Sequence, residues 1–225
     1  ARARVAVCAD DAANIEELSS AASAAGLELA VLVEVDVGAG RCGVEPGVAT
    51  LTLAQQIDAA PGLRFAGIQA YQGSAQHIRD FAERRAAIDA AVDKARLTVD
   101  LLAANGLQCE TVGGAGTGSF EFESASGVYN ELQCGSYAFM DADYAKNLDA
   151  SGQFVSQFEH SLFVLATVMS AAKPGRVVVD AGLKSMAFDS GLPSVQEPAG
   201  AEYSRPSDEH GRIDPGSSNA KLGLG

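Results

Sequence analysis

The sequence predicts an α/β protein: alternating strands and helices forming part of a (β/α)8 TIM-type barrel, followed by the start of a β-rich C-terminal domain. Three observations predict it. Leu29–Val37 is a nearly unbroken β-branched and aliphatic run, as expected of a parallel strand covered on both faces. Apolar runs alternate with segments of helical periodicity as far as about residue 145. Beyond Tyr144 that periodicity stops, and the stretch from Ser190 to Ser218 is rich in Gly, Pro and Ser. The division falls near residue 150, giving a C-terminal barrel portion over 1–150 and an incomplete β-rich domain over 151–225.

Val5–Ala9 reads as a short buried strand. Asp10 or Asp11 caps the next helix, whose apolar positions Ile15, Leu18 and Ala22 recur at helical spacing before Gly26 ends it. After the Leu29–Val37 strand comes a helix over about 48–59, stopped by Pro61-Gly62, and then a strand from Arg64 to Tyr71. The spacing predicts a long helix from about His77 to Asn105, ended by Gly106. Its inward stripe is Ile78, Phe81, Ile88, Val92, Val99 and Leu102, with Asp80 and Arg84 as a surface pair. Leu107–Val112 and Glu131–Phe139 read as two more strands. That makes about five strands before residue 145, whereas a closed barrel needs eight, so about three units are expected N-terminal to residue 1. The chain opens without methionine and stops where another strand is expected, so both ends read as cut from a longer chain. Phe154–Ala171 and Val177–Asp180 also lack helical periodicity and read as opening strands of the second domain.

The 225 residues are 47% hydrophobic, with mean hydropathy +0.06 and no tryptophan, so Ala, Val and Leu must fill the core. A net charge of −13 with no run of Lys or Arg argues against nucleic acid or an anionic membrane as partner. Cys8, Cys42, Cys109 and Cys134 form no C-x-x-C pair, and the three histidines are dispersed, which argues against a Cys/His metal site. Two of the cysteines lie in apolar runs and read as reduced, buried thiols of a cytoplasmic protein. Nothing resembles a signal peptide or a membrane span.

Three glycine-punctuated segments, each after a predicted strand, point to a phosphate-bearing ligand at a barrel mouth. In Gly113–Ser119, successive backbone N–H groups can form an anion-binding nest that includes Gly116, with the Thr117 hydroxyl as a further donor. It is neither a dinucleotide fingerprint nor a P-loop, since the required third glycine and the lysine are missing; the plain alternative is a flexible turn. Gly135-Ser136 either completes the cradle, with Ser136 as donor, or simply ends a strand. Arg41, flanked by glycines past the Leu29–Val37 strand, offers a cation for a ligand phenolate or carboxylate, against the plain reading of a surface arginine. Tyr71 is a candidate for proton handling or ligand stacking, and His77 reads equally as a helix-start residue. Glu34, Asp36, Asp141 and Asp143 lie in or beside strands, their separations open; Asp208-Glu-His210 reads as a solvated turn more readily than as a metal site.

Taken in order, residues 33–44, 69–77, 113–118 and 131–144 closely resemble one family: the pyridoxal-phosphate-dependent D-threonine aldolases and D-serine dehydratases, of alanine racemase fold type. The likeness is greatest to the 3-hydroxy-D-aspartate aldolases and runs along the whole chain, through Asp180–Lys184 and Ser207–Gly211. The resemblance implies a barrel followed by a β domain. It places Gly116, Thr117, Gly135 and Ser136 around the cofactor phosphate and Tyr144 in contact with the cofactor. Arg41 would approach the pyridoxal ring oxygen, with Tyr71 beside it in the active site. It also implies a divalent metal (Mg²⁺ or Mn²⁺), a D-3-hydroxy amino acid substrate, retro-aldol cleavage to glycine and an aldehyde, and a homodimer. The family's Schiff-base lysine and metal-binding His-x-Asp have no counterpart here, and none of Lys94, Lys146, Lys173, Lys184 or Lys221 stands in the lysine's context. The resemblance therefore makes a longer parent protein the enzyme and this chain by itself catalytically silent. The alternatives are a D-threonine aldolase or a dehydratase, a non-catalytic pyridoxal-phosphate carrier, and an unrelated sugar-phosphate barrel enzyme.

Overall fold

The computed structural model describes residues 3–216 and 222–224; Ser218 and Lys221, singled out above, lie outside them. The chain divides into two compact units, one of residues 1–137 and 147–155, the other of residues 138–146 and 156–225.

Unit 1 is a parallel five-stranded sheet with helices between its strands. The strands are β1 (Ala6–Ala9), β2 (Leu29–Glu34), β3 (Leu63–Gln69), β4 (Thr111–Gly114) and β5 (Glu131–Leu132), in sequential order across the sheet. Sequential parallel order is what repeated right-handed βα units produce. Between them run α1 (Ala12–Ala24), α2 (Val48–Ala59), α3 (Phe81–Ala104) and the short α4 (Phe120–Ala125). Val31, Leu32 and Val33 are all buried, Val31 and Val33 in the core cluster they share with the helices. Ile15, Ile57, Ile88 and Leu102 are fully excluded from solvent in the same cluster as Val31, Val33, Phe65 and Ile68. Each such side chain contributes on the order of 2 kcal/mol.

Local chemistry sets the boundaries. Asp11 caps α1 by accepting from Ala13 and Asn14, and Gly26, at φ 64°, turns the chain out of it. The long helix starts at Phe81, not His77, because Asp80 is extended and its carboxylate accepts the Glu83 N–H. The expected surface pair of Asp80 with Arg84 does not form. Arg84 is 3% exposed, between the Phe81 and Phe122 rings, and donates to the carbonyls of Ile78, Arg79 and Leu148. Two strands are shorter than the apolar runs suggest. β4 begins only at Thr111, and β5 is two residues long because the chain leaves the sheet and turns through Ser136–Phe139 as a 3-10 helix.

Unit 2 holds an antiparallel sheet of β6 (Val168–Ser170), β7 (Val177–Val179), β8 (Glu202–Pro206) and β9 (Gly211–Asp214), ordered β6-β7-β9-β8. Its small core gathers Val177, Val179, Tyr203 and Ile213, with Phe188 against the Tyr203 ring and the Tyr203 hydroxyl on the Ala181 carbonyl at 2.8 Å. Asp208-Glu-His210 forms the β8–β9 turn, closed by the Ser207 N–H on the His210 carbonyl at 2.7 Å. The four cysteines are free thiols, and the reading of two of them as buried is corrected: Cys8 and Cys42 are exposed, Cys109 and Cys134 half-buried. Among the described residues no helix is long and apolar enough to cross a membrane.

Candidate functional site

The C-terminal ends of β1–β5 carry the candidate groups of unit 1. Residues leaving β2 fold back on themselves. Val35 bridges to Val44, and Asp36 accepts the N–H groups of Gly38 and Gly40 at 2.9 and 3.1 Å, which holds its carboxyl below the usual range. Gly43 donates to Asp10 at the end of β1 and lies so close to the Val35–Asp36 backbone that a Cβ there would approach Asp36 N to 2.6 Å. This loop presents Arg41. Its guanidinium stands 5.4 Å over the Tyr71 ring, with Nη2 3.7 Å from Glu34 Oε1, so the fold brings the two predicted residues together.

Glu34 connects this pair to β1. Burial pushes its carboxyl up from 4.5, opposed by its hydrogen bond to Cys8 and by Arg41. The Cys8 thiol is itself pushed up to about 11 by desolvation and by Glu34. A carboxyl that stays protonated to higher pH in the folded state makes folding less favourable as pH rises from the unfolded value toward the folded one. Glu34→Gln should therefore flatten the decline in stability above pH 4.5, seen as a shallower fall of the urea midpoint with pH.

On the other side of the sheet end lies the glycine-rich loop after β4. Its glycines are needed mainly for contact with the protein itself. Gly113 lets Gln69 and Gln133 reach across β4 and exchange two amide hydrogen bonds, at 2.6 and 2.9 Å. A Cβ on Gly114 would meet the Tyr129 ring at 2.7 Å. Cβ atoms on Gly116 and Gly118 would fall onto the side chain and the carbonyl oxygen of Gln76, respectively. Most of the loop's N–H groups are already committed: Gly118 to Gln76 Oε1, Ser119 and Phe120 to the Gly116 carbonyl, and Gly116 toward Ser119 Oγ.

Thr117 is the exception. Among the described residues its N–H has no partner, and its Oγ1 accepts the Tyr137 N–H at 3.0 Å, which leaves the hydroxyl proton free to donate. The same bond anchors the turn that starts at exposed Ser136, and the space around the Cβ position of Gly135 is open to at least 4 Å. Thr117, Gly135 and Ser136 thus meet at one place. Tyr144 belongs to unit 2, half-buried in a 3-10 turn where its N–H donates to Asp141 at 2.9 Å. Lys94 is held on α3 with Nζ on the Val37 carbonyl at 3.2 Å, and Lys184 pairs with Glu209. No group of three or more His, Cys, Asp or Glu side chains among the described residues could hold a metal ion.

Sequence reasoning missed Gln76, Ser119 and Glu123, which form a buried polar chain beneath the loop. Glu121 and Glu123 look alike in sequence; only the fold sends one outward and one inward.

A parallel sheet in sequential strand order with helices between its strands defines an α/β protein built from the repeating units of a (β/α) barrel. The chain belongs to the alanine racemase N-terminal domain family, whose model matches residues 1–143. A second model, for a domain of serine dehydratase type, matches residues 161–225. The chain is 53% identical over 214 residues to a 3-hydroxy-D-aspartate aldolase of Paracoccus denitrificans (strain Pd 1222), an alignment covering 94% of this chain and 55% of that protein. It is 49% identical over 223 residues to a D-threonine aldolase of Arthrobacter sp, covering 98% and 58%. The crystal structure of a D-threonine aldolase from Filomicrobium marinum superposes with a TM-score of 0.90 at 52% identity, over 95% of this chain and 56% of the other. The chain thus spans little more than half the length of these relatives.

Proposed function

We propose that this chain is the phosphate-binding part of a pyridoxal-phosphate-dependent lyase that cleaves D-3-hydroxy amino acids, with 3-hydroxy-D-aspartate going to glycine and glyoxylate. Residues 1–150 are the barrel portion in this reading and 151–225 the beginning of the β domain. The observation that carries it is Thr117: a hydroxyl whose acceptor side is taken by the Tyr137 N–H and whose proton is left to give. A phosphate is the ligand chemistry such a donor suits, next to the unengaged Thr117 N–H and the open space at Gly135.

The residues fit the phosphate end of the cofactor. Thr117 and Ser136 would donate to its oxygens, and Gly116 and Gly135 would bring the backbone close. Arg41, steadied by Glu34 and Tyr71, would offer a fixed cation to the ring oxygen, with Tyr71 beside it at the reacting centre. When bound, pyridoxal phosphate supplies the electron sink for the pair released from the Cα–Cβ bond. The β-hydroxyl proton leaves, the β-carbon departs as the aldehyde and Cα regains a proton, so glycine and glyoxylate balance the substrate. The described residues do not fit a divalent metal. Mg²⁺ or Mn²⁺ is proposed only for the whole protein, as are a homodimer and a cytoplasmic location.

The test is an assay of the complete protein with 3-hydroxy-D-aspartate. Glyoxylate release that EDTA abolishes is the expected result, and Thr117→Val should weaken pyridoxal-phosphate binding by about tenfold, the effect of one hydrogen bond to a charged group. Ammonia and oxaloacetate would instead reassign the protein as a dehydratase, the reaction class suggested by the model matching 161–225. Absence of cofactor absorbance would overturn the reading.

A further inference from the structure

Glu123 is 2% exposed, and no other Asp or Glu among the described residues is buried. It lies one helical turn after Ser119, and its Oε1 accepts the Ser119 hydroxyl at 2.8 Å, while Oε2 has no hydrogen-bond partner. That bond fixes a direction. With its proton given to Glu123, Ser119 Oγ can only accept from its other neighbours, and it does so from Gln76 Nε2 at 2.7 Å and from the Gly116 N–H at 3.4 Å. Gln76 gives its second amide proton to the Gln72 carbonyl at 3.1 Å, so its Oε1 is turned to take the Gly118 N–H at 3.0 Å. The N–H groups on both sides of Thr117 are thereby drawn to the protein, leaving those of Thr117 uncommitted.

We propose that Glu123 is a positioning residue for phosphate binding, acting through Ser119 and Gln76 on the backbone that presents Thr117. The proposal rests on the reading of this loop as the cofactor-phosphate site. An apolar side chain at 123 frees the Ser119 proton, which then competes for Gln76 Oε1 and releases the Gly118 N–H from its place. A neutral amide keeps the acceptor and therefore keeps the direction of the chain. Burial raises the Glu123 carboxyl above its usual range, opposed by the hydrogen bond it accepts from Ser119.

The experiment compares the affinities of the complete protein for pyridoxal phosphate and for pyridoxal, which has the same ring without the phosphate. Their ratio isolates the phosphate subsite. Glu123→Leu and Ser119→Ala should each lower the ratio by about tenfold, and Glu123→Gln should leave it within about twofold of wild type. A ratio unchanged in Glu123→Leu and Ser119→Ala overturns the proposal, as does an equal loss for both ligands. Should Glu123→Leu fail to fold, Ser119→Ala decides alone. A wild-type protein that does not distinguish the two ligands would overturn the phosphate-site reading itself, which separates that failure from this one.

Discussion

Gly67→Ala is expected to lower the unfolding free energy of unit 1 by about 3 kcal/mol or more, enough to leave much of a marginally stable protein unfolded. Gly67 sits in β3 just after the irregularity opposite Val31/Leu32, and it pairs with Leu32 on one side and Thr111 on the other. Its φ of 135° is closed to residues with a side chain, and a Cβ there would land on the Thr111 carbonyl oxygen. Neither problem has a side-chain remedy, because the atom in the way is the backbone of the neighbouring strand. Relief requires β3 and β4 to separate, and β4 is the strand that delivers the Thr117 loop. Gly135→Ala is the control, with open space around its Cβ position and no positive φ, and should change stability by less than about 0.5 kcal/mol. Urea denaturation followed by circular dichroism measures both, and an unshifted midpoint for Gly67→Ala would mean that β3 and β4 do not pair as described.

The elements whose own residues carry enough signal were legible. β2 could be read from Val31–Val33 because a strand covered on both faces needs apolar residues at every position, and α1 from Asp11 and Gly26 because capping is local chemistry. The misses share a different cause, which is dependence on a distant partner. Arg84 looks like a surface arginine until the carbonyl of Leu148, 64 residues away, comes to meet it. The run after Glu131 has strand composition yet turns at Ser136, where the Tyr137 N–H is claimed by Thr117. The candidate site divides the same way. Arg41 and Tyr71 were found by their places after strand ends and do meet, whereas the packing of the loop's glycines on Gln76, some 40 residues upstream, left no mark in the sequence. Glycine enrichment records close approach, and sequence does not say to what.

That ambiguity can be resolved by asking how Gly116 and Gly118 respond to a change at Gln76. Gly116→Ala places its Cβ against the Gln76 side-chain amide, whereas Gly118→Ala places it against the Gln76 backbone carbonyl. Gln76 is 1% exposed and holds three hydrogen bonds through its side chain, so it cannot swing aside, and each substitution alone should cost about 2–3 kcal/mol. Gln76→Ala removes the amide but leaves the carbonyl. In that background Gly116→Ala should cost less than about 1 kcal/mol, a coupling of about 2 kcal/mol, and Gly118→Ala should cost as much as before. Urea midpoints of the four single and double variants against wild type and Gln76→Ala measure both cycles. If Gly116 and Gln76 prove additive, packing on Gln76 is not what excludes a side chain at 116. The demand for glycine would then have to come from the ligand side of the loop, which returns the loop to the anion nest that its composition first suggested.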